Sequence, residues 1–429
     1  MIYSAKLLSL IIGFFTIIGI RQLSYKFEMD ETIRTFILLS LVPIVLYFVY
    51  SLITPDLLVM CILVYYLNII FNPKYPEKLY YALLCGILGA LSYFAKSYAF
   101  PFFIVHFTLF NFLHYFKNIK YRKNVIKSLC LGLLVFFVIS GIWIGTISHK
   151  EGKLTYGTSG EFNHDLMGPH SSQGWDTQYI GGSPVKAQSW SPFDSWYNFK
   201  YQLKLIWTNI IKISGILQLF SYFALIIILA YLLFFIKPIP EILKDDRLYP
   251  LLTLIIFSAG YSIVVLEERY LWLIDILLLL MGGYLLNTLF NSNIFTNYKK
   301  NAFALAKVII LSVFVISFVI MPISFLHENV NAGKPVYNLA NTLEQSNIHG
   351  NIVTDDNGIK MLYLSYYLGT TYLGETKKES NTELQKDLSK HKVDFYFVWD
   401  KSNNYSSSSK NEITNEKING LKIYSIKHK

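Results

Sequence analysis

Apolar residues gather into ten runs, at 5–20, 35–52, 57–71, 79–95, 99–116, 127–148, 217–236, 249–266, 270–290 and 303–326. Runs of this length and purity predict membrane-spanning helices. Several fall short of the roughly 20 residues a straight span needs. Aromatic ends such as Tyr65, Tyr66, Tyr80 and Tyr81 extend them into the membrane interface. The first run follows Lys6 and resembles a signal peptide, but no small-x-small cleavage site comes after it.

Two long polar stretches interrupt the pattern. Residues 149–205 are rich in Gly, Ser, Trp and Tyr and predict a large loop. Residues 327–429 alternate between helix-like and strand-like segments: a helix over Lys334–Ser346, a strand over Asn351–Thr354, a helix over Ile359–Leu368, a strand over Thr370–Leu373, a helix over Glu379–Lys390, and strands over Asp394–Trp399 and Leu421–Ile426. That order predicts a small α/β domain, with SSSSK at 406–410 as a loop within it. The expected organisation is membrane spans over 1–148, a loop over 149–205, further spans over 206–326 and an α/β domain over 327–429. The expected fold class is a polytopic α-helical membrane protein of about ten spans carrying this domain.

Composition agrees. The 429 residues are 53% hydrophobic and only 15% charged, against about a quarter charged in soluble domains, and the mean hydropathy is +0.39. The formal charge of +10 reflects the basic residues that orient membrane proteins and does not indicate a nucleic-acid partner. Cys61, Cys85 and Cys130 all lie inside apolar runs and read as small packed hydrophobes.

The basic residues also set the orientation. Lys117, Lys120, Arg122, Lys123 and Lys127 fill one loop, Lys237, Lys244 and Arg247 another, and Lys299 and Lys300 a third. Arg21, Lys26 and Arg34, and then Lys74 and Lys78, fall on the same side if the spans alternate. That side is expected to be cytoplasmic. The 149–205 loop, the C-terminal domain and Met1 are then expected outside the cytoplasmic (plasma) membrane.

The short outer turns hold the candidate chemistry. They carry Thr54-Pro55-Asp56, Lys96 and Glu267-Glu268-Arg269. Each has a structural explanation: Asp56 as a helix cap, Lys96 as a snorkelling side chain and the two glutamates as an exposed turn. Their gathering at one depth favours function. Arg and Lys can bind the phosphate of a lipid-linked sugar and stabilise charge as the glycosidic bond breaks. A carboxylate, Asp56 or Glu268, can take the proton from an acceptor hydroxyl. A transporter would place charges near the bilayer midplane. Here the spans are nearly charge-free, and Asp275 is the exception, expected to lie against a partner or in a cavity.

Trp175, Trp190, Trp196, Tyr179 and Tyr270 offer rigid apolar surfaces suited to sugar faces or to the headgroup zone. His149, His164 and His170 match no compact zinc spacing. Asp355-Asp356 reads as a structural turn. A divalent cation stays open as a cofactor.

With these residues in view, the chain resembles the GT-C superfamily of membrane glycosyltransferases, in particular the bacterial relatives of protein O-mannosyltransferases and of the lipid A aminoarabinose transferase. Pro55-Asp56 opens a span as in the family's (S/T)PD segment. GILGALSYFAKSY, ending around Lys96, resembles its ALTKG stretch. GKLTYGTSGEFNHDLMGP at 152–169 and SPVKAQSWSPFDSW at 183–196 resemble its outer loop, and Glu268-Arg269-Tyr270-Leu271-Trp272 resembles the start of a late span. YYLG at 366–369 and FYFVW at 395–399 fit its outer domain.

The resemblance implies sugar transfer from a polyprenyl-phosphate donor to a protein, lipid or glycan acceptor at the outer membrane face. Asp56 would be an active-site acid, with Lys96 and Arg269 on the donor phosphate and Trp175, Trp190 and Tyr270 near sugar or acceptor. One departure stands out. On the expected topology, the family's first span and the outer loop carrying its catalytic acid are expected to lack a counterpart among these residues. The nearest early acids, Glu28, Asp30 and Glu31, are expected on the cytoplasmic side. Two alternatives follow: an inactive homologue or fragment that binds polyprenyl lipid or a partner protein, and a polysaccharide polymerase, ligase or lipid flippase.

Overall fold

The computed structural model describes residues 2–52, 54–169, 180, 189–234, 236, 245–292, 300–376, 380–399, 412–414, 418 and 420–426. These residues form two compact units. One takes in the chain up to Pro169 and from Ser189 to His327, and the other begins at Glu328.

The first unit is helical: α1 Ile2–Ser24, α2 Glu31–Ser51, α3 Asp56–Ile70, α4 Leu79–Ala95, α5 Ala99–Lys117, α6 Arg122–Glu151, α7 Thr158–Leu166, α8 Trp196–Phe220, α9 Ala224–Leu233, α10 Leu248–Tyr261, α11 Trp272–Phe290 and α12 Lys300–Asn329. Among the described residues, seven helical segments are long and apolar enough to cross a membrane, and four shorter ones are apolar. The expected polytopic helical class is what the chain adopts.

Two boundaries differ from expectation for visible reasons. The span expected over 249–266 ends at Tyr261, and side chains of α8 bind the carbonyls of the non-helical segment that follows. Asn209 donates to the carbonyls of Ser262 and Val264, and Lys212 donates to that of Leu266. The span expected over 217–236 is broken. Ser221 stops α8, its hydroxyl accepts from the Phe223 amide, and it pairs with Ser317 of α12 at 2.7 Å. The preceding stretch from Trp196, expected as loop, is helical and capped by Ser195, whose Oγ accepts from Asn198 N.

Small residues and polar ties set the packing, because lipid tails give apolar helices no hydrophobic reason to associate. A methyl group on Gly86 would lie 2.5 Å from the Gly132 carbonyl oxygen, and one on Gly132 would lie 2.3 Å from the Phe107 ring. Helices α4 and α6 therefore meet almost backbone to backbone, with the Phe107 ring of α5 laid against Gly132. Gly86→Val should destabilise the fold by about 1–3 kcal/mol. Gly141→Val, where the added group meets nothing within 4 Å, should change little. Denaturation curves in detergent test the pair.

Deeper in the bundle, Tyr66 of α3 hydrogen-bonds His106 of α5 at 2.7 Å, and His106 reaches Thr253 of α10 at 2.8 Å. At the far end of these helices Asp30 caps α2 through the Ile33 amide and pairs with Lys307 at 2.6 Å. Arg34, read from sequence as an orienting loop charge, is buried there. It bonds Ser24 and the Met29 carbonyl and lies over the Tyr25 ring at 4.0 Å.

The second unit is a four-stranded sheet with helices. Its elements are α13 Lys334–Leu343, β1 Asn351–Thr354, α14 Gly358–Leu368, β2 Thr371–Glu375, α15 Asn381–Lys390, β3 Phe395–Val398 and β4 Lys422–Ser425. The strand order is β2-β1-β3-β4, with β1 parallel to β2 and β3, and β4 antiparallel to β3. On one side Val336, Ala340, Met361 and Leu364 of α13 and α14 pack against Ile352, Phe397 and Ile423. On the other, Leu384 and Leu388 of α15 pack against Val353, Tyr396 and Val398, together with Ile180 from the long loop. Ile180 also donates its amide to the Glu375 carbonyl. Asp355 is a turn residue, its carboxylate accepting from the Trp399 amide.

Candidate functional site

Three inter-helix turns converge at one end of the first unit. The first joins α2 to α3. Pro55 holds the N-cap position with no side-chain cap, so Asp56 is the first residue of α3 rather than the cap expected from sequence. Its carboxylate is therefore free of the backbone. Thr54 donates to Oδ2 at 2.8 Å, and Lys96 Nζ lies 2.5 Å from Oδ1.

The second turn joins α4 to α5. Lys96 is the C-cap of α4, its backbone extended and its amide bonded to the Ser92 carbonyl. This conformation projects the ammonium across to α3. The ammonium also sits 3.5 Å above the Tyr270 ring centroid, a cation–π contact. Burial lowers the Lys96 pKa below the ordinary lysine value, and the Asp56 charge opposes that shift.

The third turn joins α10 to α11 through a short 3-10 segment at Glu268–Leu271. Arg269 Nε pairs with Glu267 at 2.6 Å and stands 4.0 Å from Asp56 Oδ2. Tyr270 stacks on Tyr261, and Tyr261 on Tyr98, with ring centroids 5.1 and 3.7 Å apart. Tyr98 donates its hydroxyl to the Phe257 carbonyl. This column of three rings is a rigid floor under the two cations. Neither Tyr98 nor Tyr261 was picked out from sequence. The only local clue is that Tyr98 follows Lys96 by two positions.

Lys96, Arg269 and Asp56 thus meet in a cleft whose walls include Met60, Phe257 and Trp272, with Glu267 paired to the arginine beside it. The open volume is only about 10 Å³, and Asp56 already engages the Lys96 ammonium. An anion that enters must displace Asp56 from Lys96, or Glu267 from Arg269.

Other residues singled out from sequence lie elsewhere. Glu268 turns from Arg269 toward the Tyr47 hydroxyl at 3.4 Å, leaving Glu267 as the acid beside the arginine. Trp190 is buried, stacked on His164 at 4.4 Å, and donates its indole N–H to the His164 carbonyl. Its faces are covered by the loop's own packing. Trp196 is exposed and stacked on Phe199. Trp175, Tyr179 and His170 fall outside the described residues. Asp275 is fully buried, and neither carboxylate oxygen has a hydrogen-bond partner among the described residues. Cys61 and Cys85 are buried as expected, but Cys130 is exposed on α6. Among the described residues no group of three His, Cys, Asp or Glu side chains is placed to hold a metal ion.

A larger cavity, of about 710 Å³, lies at the opposite ends of α3, α10 and α11. Its charges are largely satisfied internally. Arg247 forks onto Asp245 and touches the Tyr284 hydroxyl, and Asp246 pairs with Lys117. The turn cluster around Asp56 is the stronger candidate, because Lys96 and Arg269 from two different turns both approach one carboxylate there.

No family model matches the sequence, and no curated protein matches it. Among solved structures, a similar chain is ArnT from Cupriavidus metallidurans, crystallised in the apo state. It shares 12% identity with a TM-score of 0.47, the match covering 92% of this chain and 78% of that one. A likeness at that level is too slight to carry residue roles or an activity across.

Proposed function

We propose that the chain is a membrane glycosyltransferase. It would move a sugar from a polyprenyl-phosphate donor to an acceptor at the outer face of the cytoplasmic membrane. The observation that supports this most is the meeting of Asp56, Lys96, Arg269 and Tyr270 from three separate turns at one end of the bundle. Charge-assisted contacts from Lys96 and Arg269 would hold the donor phosphate. The phosphate replaces Asp56 as the partner of Lys96, and the released carboxylate becomes the general base. The acceptor oxygen bonds to the sugar carbon as its proton passes to Asp56. The bond from that carbon to the phosphate oxygen breaks, and polyprenyl phosphate leaves with its charge held by the two cations.

Sugar transfer from a polyprenyl-phosphate donor by the reconstituted chain tests this reading. Asp56→Asn and Arg269→Ala should each lower the rate by about a hundredfold or more. Transfer undiminished in both variants removes these roles. The pH profile gives a second check. Lys96 must be charged to hold phosphate, and burial lowers its pKa. The alkaline loss of activity should therefore begin below the ordinary lysine value of about 10.4. Lys96→Arg should move that limb upward.

A second reading, binding of polyprenyl lipid without turnover, draws on the closed cleft and on the pairing that already engages Asp56. It predicts lipid binding with no transfer at any pH.

A further inference from the structure

The second unit distributes its surface unevenly. Among its described residues beyond the link to α12, every exposed large apolar side chain lies on α13 or α14: Tyr337, Ile359, Leu362, Tyr363, Tyr366 and Tyr367. The opposite layer shows none. The exposed positions of α15 are polar, among them Thr382, Glu383, Gln385 and Lys386.

On α14 the exposed residues 359, 362, 363 and 366 follow the helical repeat, while Met361 and Leu364 on the other face enter the core. A helix apolar on both faces has a second apolar environment. Tyr337 and Tyr367, with rings 5.3 Å apart, join the patch across to α13.

Two observations say what covers this face. Four of the six side chains are tyrosines, whose rings are apolar and whose hydroxyls need water or headgroups. That is the chemistry of a membrane interface and not of a hydrocarbon interior. In addition, α13 begins only five residues after α12 ends. The link includes Val330, which is 74% exposed. A helix that ends at the bilayer surface keeps the next few residues within reach of headgroups. We propose that the exposed face of α13 and α14 rests in the lipid headgroup region of the membrane that α12 crosses.

The test uses the full chain in phospholipid vesicles, with Cys61, Cys85 and Cys130 replaced by alanine. Single cysteines at Ile359, Tyr363, Tyr366 and, as reference, Lys386 carry a nitroxide label. All four positions are exposed, so the labels leave the core of the second unit untouched. Accessibility to oxygen and to a water-soluble nickel chelate is then read for each label. The expected result is an oxygen-to-nickel ratio several-fold higher at 359, 363 and 366 than at 386. Ratios equal to that at 386 place the face in water and overturn the proposal. Low access to both reagents at the three sites means burial against protein, and overturns it equally. A second readout needs no substitution. A headgroup-photoreactive lipid in the same vesicles should crosslink to the peptide spanning 358–368 in the native chain, and crosslinks confined to other peptides contradict the proposal.

Discussion

Replacing Lys96 by methionine should cost the folded protein about 3 kcal/mol and abolish binding of the donor phosphate. The stability loss comes from Asp56. It is buried at 8% exposure, and its Oδ1 is held by the Lys96 ammonium. Without that ammonium the carboxylate keeps only the Thr54 hydroxyl and an arginine 4.0 Å away. Removing one member of a buried pair typically costs about 3–5 kcal/mol, because the other charge remains unmatched. The Arg269 guanidinium keeps the expected value at the low end. The double variant Asp56→Asn, Lys96→Met removes both charges and should recover stability to within about 1 kcal/mol of the native chain. It should not recover transfer. Denaturation curves for the single and double variants decide the matter. A double variant no more stable than the single one would mean that Asp56 and Lys96 do not depend on each other as described.

Replacing Asp275 by leucine should do the opposite and stabilise the protein by about 2 kcal/mol. Leaving a buried carboxyl unpaired in the first turn of α11 costs about 3 kcal/mol, and the larger side chain returns about 1 kcal/mol of that as crowding. The carboxylate has no hydrogen-bond partner among the described residues to offset its burial. Asp275→Asn should gain less, because an amide in the same place is also unpaired. Asp275 does not line the cleft around Asp56, so transfer activity should survive both changes. Leucine that destabilises the chain would show that Asp275 has a partner which the described residues do not include.

Much of this architecture was legible in the sequence, and the limits are instructive. Apolar runs marked most of the long helices, because every backbone polar group in a bilayer must be satisfied within its own helix, but they missed the helix that begins at Trp196. The runs could not show where side chains from one helix bind the carbonyls past the end of another. Asn209 and Lys212 do this to the segment after Tyr261. The break at Ser221 depends on Ser317, nearly a hundred positions away, and no local pattern reveals it.

The candidate site was legible as three charged turns at one depth. Which glutamate faces the arginine was not, since adjacent residues on a 3-10 turn point in different directions. Glu267 meets Arg269, while Glu268 meets Tyr47. The aromatic column was hidden because aromatic residues are common throughout the chain. Only the fold shows that Tyr98, Tyr261 and Tyr270 stack in sequence beneath Lys96. Trp190 illustrates the opposite error. A tryptophan in a loop suggested a sugar platform, but His164 already covers its face.

On the proposed function, Lys96 and Arg269 form a site for a lipid phosphate. Native mass spectrometry of the purified chain with polyprenyl phosphate measures it most directly. The prediction is a bound lipid on the native chain, lost or reduced at least tenfold in both Lys96→Met and Arg269→Ala, and retained in Glu268→Gln. Equal binding by the native chain and both cation variants, or no binding by the native chain, would contradict it.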